Sequence, residues 1–158
     1  MSAQIWPNAD IIPYNADYAQ AVRSWIDSKM TLYNVSRGTD FPPAQDVVES
    51  WQRTDVSSFL LISAGLPVAY AELWRRPLEV ALEIAHLLVS PEHRLSGFGT
   101  TMLKLLCDRA SGKSRVERVL VNLYNENEAA LACFLKAGFE LTGTSAHVKG
   151  LRMMRVLG

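Results

Sequence analysis

Two glycines one residue apart, Gly97 and Gly99, mark the part of this sequence best suited to chemistry. They stand where an apolar run typical of a buried strand has ended and apolar residues at helical spacing begin. A helix that starts in such a turn has several backbone N–H groups without intrahelical partners, and the positive end of its dipole points outward. Phosphate groups bind readily at such a helix start. The spacing therefore predicts an anion-binding turn, and the alternative is a turn chosen only for its backbone geometry.

A strand and a helix must position this turn. The strand is predicted over residues 79–89, and Pro91 ends it. The helix is predicted from apolar residues at spacings of three and four, which are Phe98, Met102, Leu103, Leu106 and Ala110. The centre of the sequence therefore reads as strand, turn and helix.

Length and composition indicate one globular domain over residues 1–158, with 49% hydrophobic and 20% charged residues. Lys plus Arg and Asp plus Glu number 16 each, which gives no sign of a nucleic-acid or membrane-surface partner. The two cysteines, Cys107 and Cys133, fall in predicted helices, so we expect reduced packing residues. No apolar run approaches the roughly 20 residues of a membrane span, and the first residues lack the features of a signal peptide. We therefore expect a cytoplasmic location.

The residues before the central strand predict helices and a hairpin. Residues 11–14 read as a short strand, Asn15 caps a first helix reaching Ile26, residues 31–43 read as a loop, and Pro43 opens a second helix. Strands over residues 58–63 and 68–74 enclose a turn with glycine, as in a hairpin. Three consecutive antiparallel strands follow from this pattern.

The residues after the central helix predict a strand, a helix and two more strands. The strands are predicted over residues 116–123, 139–144 and 147–156, with residues 111–114 as a connection. The helix is predicted over residues 129–137, with Asn125 as its cap and Gly138 at its end.

Two other protein classes use a Gly-x-Gly turn between a strand and a helix, but the rest of their patterns is missing. The dinucleotide fingerprint needs a third small residue at position 102, where this sequence has Met102. A P-loop ending at residues 112–114 would need glycine in place of Cys107.

The sequence from Val89 to Gly99 resembles the acyl-coenzyme A signature of the GNAT N-acetyltransferase superfamily. That signature is a strand ending in valine, a proline two residues on, and then (Gln/Arg)-x-x-Gly-x-(Gly/Ala), which here is Arg94-Leu95-Ser96-Gly97-Phe98-Gly99. A second block, from Asn127 to Phe139, is similar to the later motif of the superfamily, with Asn-x-x-Ala, an aromatic residue and Gly-Phe. Both blocks in this order are more specific than either alone. The resemblance covers roughly residues 10–156.

The resemblance implies an α/β (α+β) fold, with a mixed, mainly antiparallel sheet of about seven strands flanked by four helices. It implies acetyl-coenzyme A as co-substrate, with no metal. The implied contacts to the pantetheine arm come from backbone groups of Leu87, Leu88 and Val89, with Asn127 and Phe134 near the pantetheine end. The implied contacts to the pyrophosphate come from Arg94 and from the N–H groups of the turn, which are those of Leu95, Ser96, Gly97, Phe98, Gly99 and Thr100. Many members have glycine at the position of Leu95. We expect bulky replacements of Gly97 or Gly99 to weaken cofactor binding with little change in fold.

The implied activity is transfer of an acetyl group to a primary amine of a small molecule or of a peptide or protein N-terminus, by direct attack. An alkyl amine of the lysine type titrates at about 10.4, so a base must remove a proton. Glu83 stands where members often have a glutamate that acts through water, and we favour it; His86 has the better intrinsic pKa, and Glu72 is a third candidate. In a regular strand Glu83 and His86 face opposite sides, so both could serve only if a bulge intervenes.

Phe134 departs from the family pattern, because many members have a tyrosine there whose hydroxyl protonates the leaving thiolate. Tyr124, Cys133 or water could substitute, or the thiolate could leave unassisted. The missing hydroxyl motivates an alternative, a sensor that binds acyl-coenzyme A without turnover; a mononucleotide-binding protein is a third hypothesis. The expected partner is an amine substrate, and a homodimer stays open.

Overall fold

A seven-stranded sheet forms the centre of the fold. The computed structural model describes residue 6 and residues 8–113, 115–124, 127–144 and 150–158. The strands are β1 (Asp10–Pro13), β2 (Val56–Ser63), β3 (Leu66–Arg76), β4 (Ala81–Val89), β5 (Arg118–Tyr124), β6 (Glu140–Thr144) and β7 (Gly150–Val156). Their order is β1-β2-β3-β4-β5-β7-β6, and β4 with β5 is the parallel pair while the other neighbours are antiparallel. The predicted mixed, mainly antiparallel sheet is confirmed.

Helices cover both faces of this sheet. They are α1 (Ala19–Ser24), α2 (Lys29–Ser36), α3 (Val47–Ser50), α4 (Phe98–Ser111) and α5 (Glu128–Lys136), with short 3-10 turns at Ala16–Tyr18, Pro77–Glu79 and Pro91–His93. Within the described ranges, no helix combines the length and the apolar character needed to cross a membrane.

Two apolar clusters, one on each face, hold the helices to the sheet. On one face Met102 and Leu106 of α4 and Phe134 of α5 pack with Leu82 and Ile84 of β4. On the other face α1, α2 and α3 contribute buried residues that pack with β2 and β3, among them Val22, Leu32, Val48, Leu60 and Tyr70. Burying a side chain of this size contributes about 1.5–3 kcal/mol, so β4 is held firmly from both sides.

The prediction of a loop over residues 31–43 is wrong in its first part, where α2 lies. Ser28 caps this helix, because its hydroxyl accepts a hydrogen bond from the backbone N–H of Thr31 at 3.0 Å. Leu32 and Val35, three residues apart, are its buried residues. Arg37 ends it with a left-handed φ of 63°. The described chain therefore has five α-helices where four were expected.

Several element boundaries also differ from the prediction. Pro43 does not open the second helix, which is the single turn α3. Asn125, the predicted cap of α5, lies outside the described residues, and the N-cap is Asn127. Ser114, in the predicted connection, and residues 147–149, the start of the last predicted strand, also lie outside them.

Candidate active site

A wedge opens between β4 and β5. The two strands pair only where Ala81–Glu83 meets Arg118–Leu120, and beyond this point each continues with its other neighbour alone. A cavity of about 290 Å³ lies in the wedge, lined by residues 84–87 of β4 and 121–124 of β5. Unpaired backbone groups at such an edge are suited to an added extended chain. The wedge therefore leaves an edge of β4 free for an added chain, and its contact with a pantetheine arm stays a prediction.

The start of α4 lies at the far end of β4 from this pairing. Gly97 is its N-cap with a φ of 89°, and no side chain caps it within the described residues. The first intrahelical hydrogen bond runs from the N–H of Thr101 to the carbonyl oxygen of Gly97 at 3.0 Å. The N–H groups of residues 98–100 thus precede the helical pattern, as the prediction of an anion-binding turn requires.

Backbone and packing both demand small residues in this turn. A Cβ on Gly99 would lie 3.2 Å from Sγ of Cys133, so this glycine lets α4 approach α5. Gly97 has the positive φ that glycine adopts without strain. The expectation that either glycine could be replaced with little change in fold is therefore wrong. Leu95 also has a positive φ, 61°, and its side chain is fully exposed, which explains why glycine suits this position.

Trp6 holds the turn from outside. Its Nε1 donates a hydrogen bond to the carbonyl oxygen of Ser96 at 2.8 Å, and its ring stacks on Phe98 with centroids 4.5 Å apart. The hydroxyl of Ser96 is bonded locally, since it donates to the carbonyl oxygen of His93 at 2.8 Å. The turn is thus fixed by contacts that leave the start of α4 uncapped.

The side chain of Arg94, predicted to bind pyrophosphate, is engaged with protein groups. Its Nε donates to the carbonyl oxygen of Val89 at 3.1 Å, and one terminal nitrogen donates to that of Trp25 at 2.8 Å. The other terminal nitrogen forms an ion pair with Asp27 at 3.1 Å. A contact between this side chain and a phosphate stays a prediction, and it would compete with these bonds.

His86 and Trp74 lie on one wall of the cavity, and the carboxylate of Glu72 lies behind them. Glu72 is fully buried, and it accepts hydrogen bonds from the Tyr70 hydroxyl and from Nε1 of Trp74, the latter at 2.7 Å. Nδ1 of His86 lies 2.9 Å from the same carboxylate oxygen that Trp74 contacts. Burial and the neighbouring charge of Glu72 raise the pKa of the Tyr70 hydroxyl, so it keeps its proton and donates.

A β-bulge brings His86 to this wall. Tyr70 pairs with Leu88 and Glu72 with Ala85, so two residues of β4 face the single residue between Tyr70 and Glu72 on β3. His86 is one of the two, and its φ is 51°. The bulge that both base candidates require is therefore present, and it turns His86 to the same face as Glu83, whose strand partner is Trp74.

Glu83, the other base candidate, is held by Arg76. Nε and one terminal nitrogen of Arg76 lie 2.9 and 2.8 Å from the same carboxylate oxygen. Glu83 and His86 both line the cavity. The geometry therefore brings together the two residues that the sequence proposed, but it gives them different partners.

The residues expected at the pantetheine end line the same cavity. Asn127 caps α5 by accepting a hydrogen bond from the N–H of Ala130 at 3.3 Å, so its side chain has a structural partner. Phe134 is buried and packs edge-on against Phe139. Tyr124 faces them from β5; burial raises the pKa of its hydroxyl above the usual value of 10.0, against the opposing effect of Arg37. On β4, Leu87 lines the cavity while Leu88 is buried in the other core, which leaves its backbone for contacts.

Arg76 takes part in the site but was not predicted there, and the contact of Trp51 with His86 was not predicted either. Glu72, Trp74 and Arg76 alternate along β3, and this period of two is a signal in the sequence that would have placed all three on one face. Trp51 stacks on His86 with centroids 4.3 Å apart, and no local pattern indicates that contact.

The sequence matches the profile of the Acetyltransferase (GNAT) family over residues 20–139, so the chain belongs to this family. The resemblance seen in the two motifs is thereby confirmed.

Three solved structures show the same fold. The aminoglycoside acetyltransferase AAC(6')-Ib, in complex with coenzyme A and kanamycin, has a TM-score of 0.78 at 18% identity, over 94% of each chain. A spermidine N-acetyltransferase from Vibrio cholerae, in complex with coenzyme A and spermine, has a TM-score of 0.76 at 13% identity, over 95% of this chain and 96% of that one. A ribosomal L7/L12 alpha-N-protein acetyltransferase, in complex with coenzyme A, has a TM-score of 0.78 at 13% identity, over 98% and 97%. At these identities the likeness concerns the fold alone.

Proposed function

We propose that the protein transfers an acetyl group from acetyl-coenzyme A to a primary amine of a small molecule or of a peptide or protein N-terminus. The observation that carries this proposal is the wedge between β4 and β5, which has imidazole and carboxylate groups on its wall and leads along β4 to an uncapped helix start. Membership of the GNAT family supports it. The coenzyme A in the three similar structures also supports it.

The residues present fit this co-substrate. The first turn of α4 contains no acidic residue, so its free N–H groups can hold phosphate oxygens without repulsion. The edge of β4 beyond Glu83 can pair with the amide groups of an extended arm. When bound, the co-substrate supplies an activated acetyl thioester.

Proton transfer falls to the chain's own residues on the cavity wall. An N–C bond forms as the C–S bond breaks, so the attacking amine loses a proton and the departing sulfur gains one. His86 and Glu83 are the candidates to receive the amine proton, because both line the cavity. No acyl-enzyme is needed for this direct transfer.

The charges of the described lining favour an acceptor with a single amine over a polycation. Glu83 is the one carboxylate among the described lining residues, and two guanidinium groups, those of Arg37 and Arg76, accompany it. Since Arg76 already neutralises Glu83, a substrate with several positive charges gains little there. The acceptors of the first two similar structures, kanamycin and spermine, are thus poor guides to this one.

Release of free thiol from acetyl-coenzyme A, measured across a panel of amines, amino acids and peptides, tests the activity. The binding site is tested by Leu95→Glu with Leu95→Gln as matched control, because this exposed side chain lies in the turn. A unit charge about 7 Å from a doubly charged pyrophosphate costs roughly 1 kcal/mol in water, less in salt. We expect the Glu variant to bind acetyl-coenzyme A about 3- to 5-fold more weakly than the Gln variant, and high salt to remove the difference. Equal affinities at low salt would place the phosphates elsewhere.

Phe134 favours a second candidate function, a sensor that binds acyl-coenzyme A without turnover. The hydroxyl that would protonate a leaving thiolate is absent at this position of the cavity. Tight cofactor binding without thiol release across the whole panel would support the sensor. Turnover of any amine in the panel would rule it out.

A further inference from the structure

We infer that His86 is the base of the proposed reaction and that the buried Glu72 is its positioning residue, which fixes the imidazole with its proton on Nδ1. This inference rests on the proposed acetyl transfer and assigns roles within the same cavity. It replaces an open choice among three candidates with two residues in distinct roles.

The environment of Glu72 excludes it as a direct base but suits it to hold another group. Its side chain has no exposed surface, so it cannot touch an acceptor in the cavity. Three side chains converge on its two oxygens, those of Tyr70, Trp74 and His86. A buried carboxylate needs such donors, and the first two donate through an O–H and an indole N–H. These two hydrogen bonds hold the carboxylate in place independently of the imidazole.

The contact with Glu72 decides the tautomer of His86. A carboxylate oxygen only accepts, so the imidazole nitrogen 2.9 Å away must donate, and Nδ1 carries the proton. In the neutral ring Nε2 then has the free lone pair. Nε2 has no hydrogen-bond partner in the described part of the chain, and it is not among the buried unpaired atoms. Because His86 lines the cavity, this nitrogen is accessible to an amine there.

Two tryptophans fix the plane of the ring. Trp51 stacks on the imidazole with an interplanar angle of 26°, and Trp74 meets it edge-on with centroids 5.4 Å apart. Trp74 therefore contacts both members of the pair. Its ring lies nearly perpendicular to the imidazole, and its Nε1 donates a hydrogen bond to Glu72. A side chain held on two sides and by one hydrogen bond loses little freedom when it reacts, which favours proton transfer.

The proton balance follows from this arrangement. The lone pair of Nε2 takes the proton of the attacking amine, and the ring becomes an imidazolium with both nitrogens protonated. The negative charge of Glu72 beside Nδ1 stabilises that state, as a carboxylate does for a histidine in a triad. The departing thiolate takes the proton from Nε2, either directly or through a water molecule that relays it, and the ring returns to the starting tautomer.

Glu83 is less suited to the same task because Arg76 occupies it. Both hydrogen bonds from the guanidinium group end on one carboxylate oxygen, at 2.9 and 2.8 Å. An amine that approached this oxygen would have to displace the guanidinium group. Glu83 and Arg76 thus form an ion pair at the last residue of β4 that pairs with β5.

The first experiment measures the tautomer without relying on turnover. Long-range ¹H–¹⁵N spectra of the whole protein, labelled at histidine, distinguish Nδ1–H from Nε2–H imidazole. We expect Nδ1–H for His86 in the wild type and a mixture in Glu72→Gln, which keeps the shape but loses the charge. The matched control is Tyr14→Phe, which removes a buried hydroxyl that has no hydrogen-bond partner among the described residues and should leave the tautomer as in the wild type. An Nε2–H ring in the wild type would overturn the inference.

The second experiment measures kinetics with an amine that the wild type accepts. His86→Ala should lower kcat about 10²- to 10⁴-fold and keep KM for acetyl-coenzyme A within about threefold of the wild type. Added imidazole should recover at least about a tenth of the lost kcat. Glu72→Gln should lower kcat about 10- to 100-fold, as loss of a supporting partner does. Tyr14→Phe should keep kcat within about twofold of the wild type, because its hydroxyl contacts neither Glu72 nor His86.

The outcomes separate this inference from the proposed function. A His86→Ala variant with kcat within threefold of the wild type overturns the base assignment. A Glu72→Gln variant no slower than Tyr14→Phe overturns the positioning role. If the wild type turns over no amine, the proposed function fails and the base assignment fails with it. The spectra then still decide whether Glu72 holds the ring.

Discussion

Arg94 ties the end of β4 to the segment between α1 and α2, and its replacement tests whether the side chain is a structural tie or a phosphate ligand. Arg94→Met keeps the length of the side chain and removes its hydrogen bonds. The carbonyl oxygens of Val89 and Trp25, at 3.1 and 2.8 Å, each lose a charged donor. We take about 1 kcal/mol for each bond, below the value for a fully buried charged donor, because the Arg94 side chain is 34% exposed. The ion pair with Asp27 adds less than about 1 kcal/mol, because the two side chains are 34% and 41% exposed.

We therefore expect Arg94→Met to lower the free energy of unfolding by about 2–3 kcal/mol, and Tm by roughly 5–10 °C. Urea unfolding of both proteins measures the difference. Asp27→Asn should cost less than about 1 kcal/mol. In a double-mutant cycle Arg94 and Asp27 should couple by about 0.2–1 kcal/mol.

The affinity for acetyl-coenzyme A distinguishes the two roles of Arg94. Where both proteins are fully folded, calorimetric titration should give affinities for Arg94→Met and wild type within about threefold, since the guanidinium group is engaged by protein groups. A variant within about 0.5 kcal/mol of wild-type stability, with affinity lowered tenfold or more, would refute the tie and support the predicted phosphate contact.

Other single replacements test the backbone and the cavity wall. Gly150→Ala should lose about 3 kcal/mol or more in urea unfolding, because a Cβ there would lie 1.8 Å from the carbonyl oxygen of Leu123 and break the β5–β7 pairing. Leu95→Gly should raise stability by up to about 1 kcal/mol in thermal unfolding, since it relieves a φ of 61°, and should not weaken acetyl-coenzyme A binding. Burial raises the pKa of the Tyr124 hydroxyl, so it is protonated and can donate a hydrogen bond to the leaving thiolate. If it does, Tyr124→Phe should lower kcat about 3- to 10-fold, and an unchanged kcat would leave that role to water. Burial opposes ionisation of Asp27, but hydrogen bonds from Thr31 and Arg94 outweigh burial and hold the pKa of this carboxyl below 3.8. The ionised carboxylate therefore stabilises the fold above pH 3.8, and this stabilisation is lost as the pH falls through the lowered pKa of the folded state. Acid unfolding of Asp27→Asn should lack that part of the pH dependence.

Local signals were sufficient to predict the centre of the fold. Gly97 and the apolar spacing after it placed the start of α4 within a residue, because helix starts and glycine turns depend on a few neighbouring residues. The mixed, mainly antiparallel sheet followed from the family motifs, but the parallel pairing of β4 with β5 and the register that leaves the wedge open beyond Glu83 were not predicted.

The helix α2 was missed because the signals around it are weak and mixed. It buries only Leu32 and Val35, so no long apolar period marks it. Gly38 and Pro42 lie just beyond its end and made the whole segment resemble a loop. Ser28, whose hydroxyl accepts the capping bond from the N–H of Thr31, was the available signal, and a cap is decisive only when the helix behind it is recognised.

The bulge at His86 shows why the chemistry of the wall was beyond the reach of sequence. Strict alternation would have placed His86 on the face of Leu82 and Ile84, against α4, where a buried imidazole without a partner costs about 1–3 kcal/mol. One extra residue in β4 turns the ring to the opposite face, where Glu72 accepts its hydrogen bond at 2.9 Å. A positive φ at a residue other than glycine is strained. The contacts that hold His86 in this conformation come from Glu72 of β3, 14 positions away in the sequence, and from Trp51 just after α3, 35 positions away. The bulge is therefore specified by the tertiary contacts of the imidazole, and those same contacts make it a candidate base.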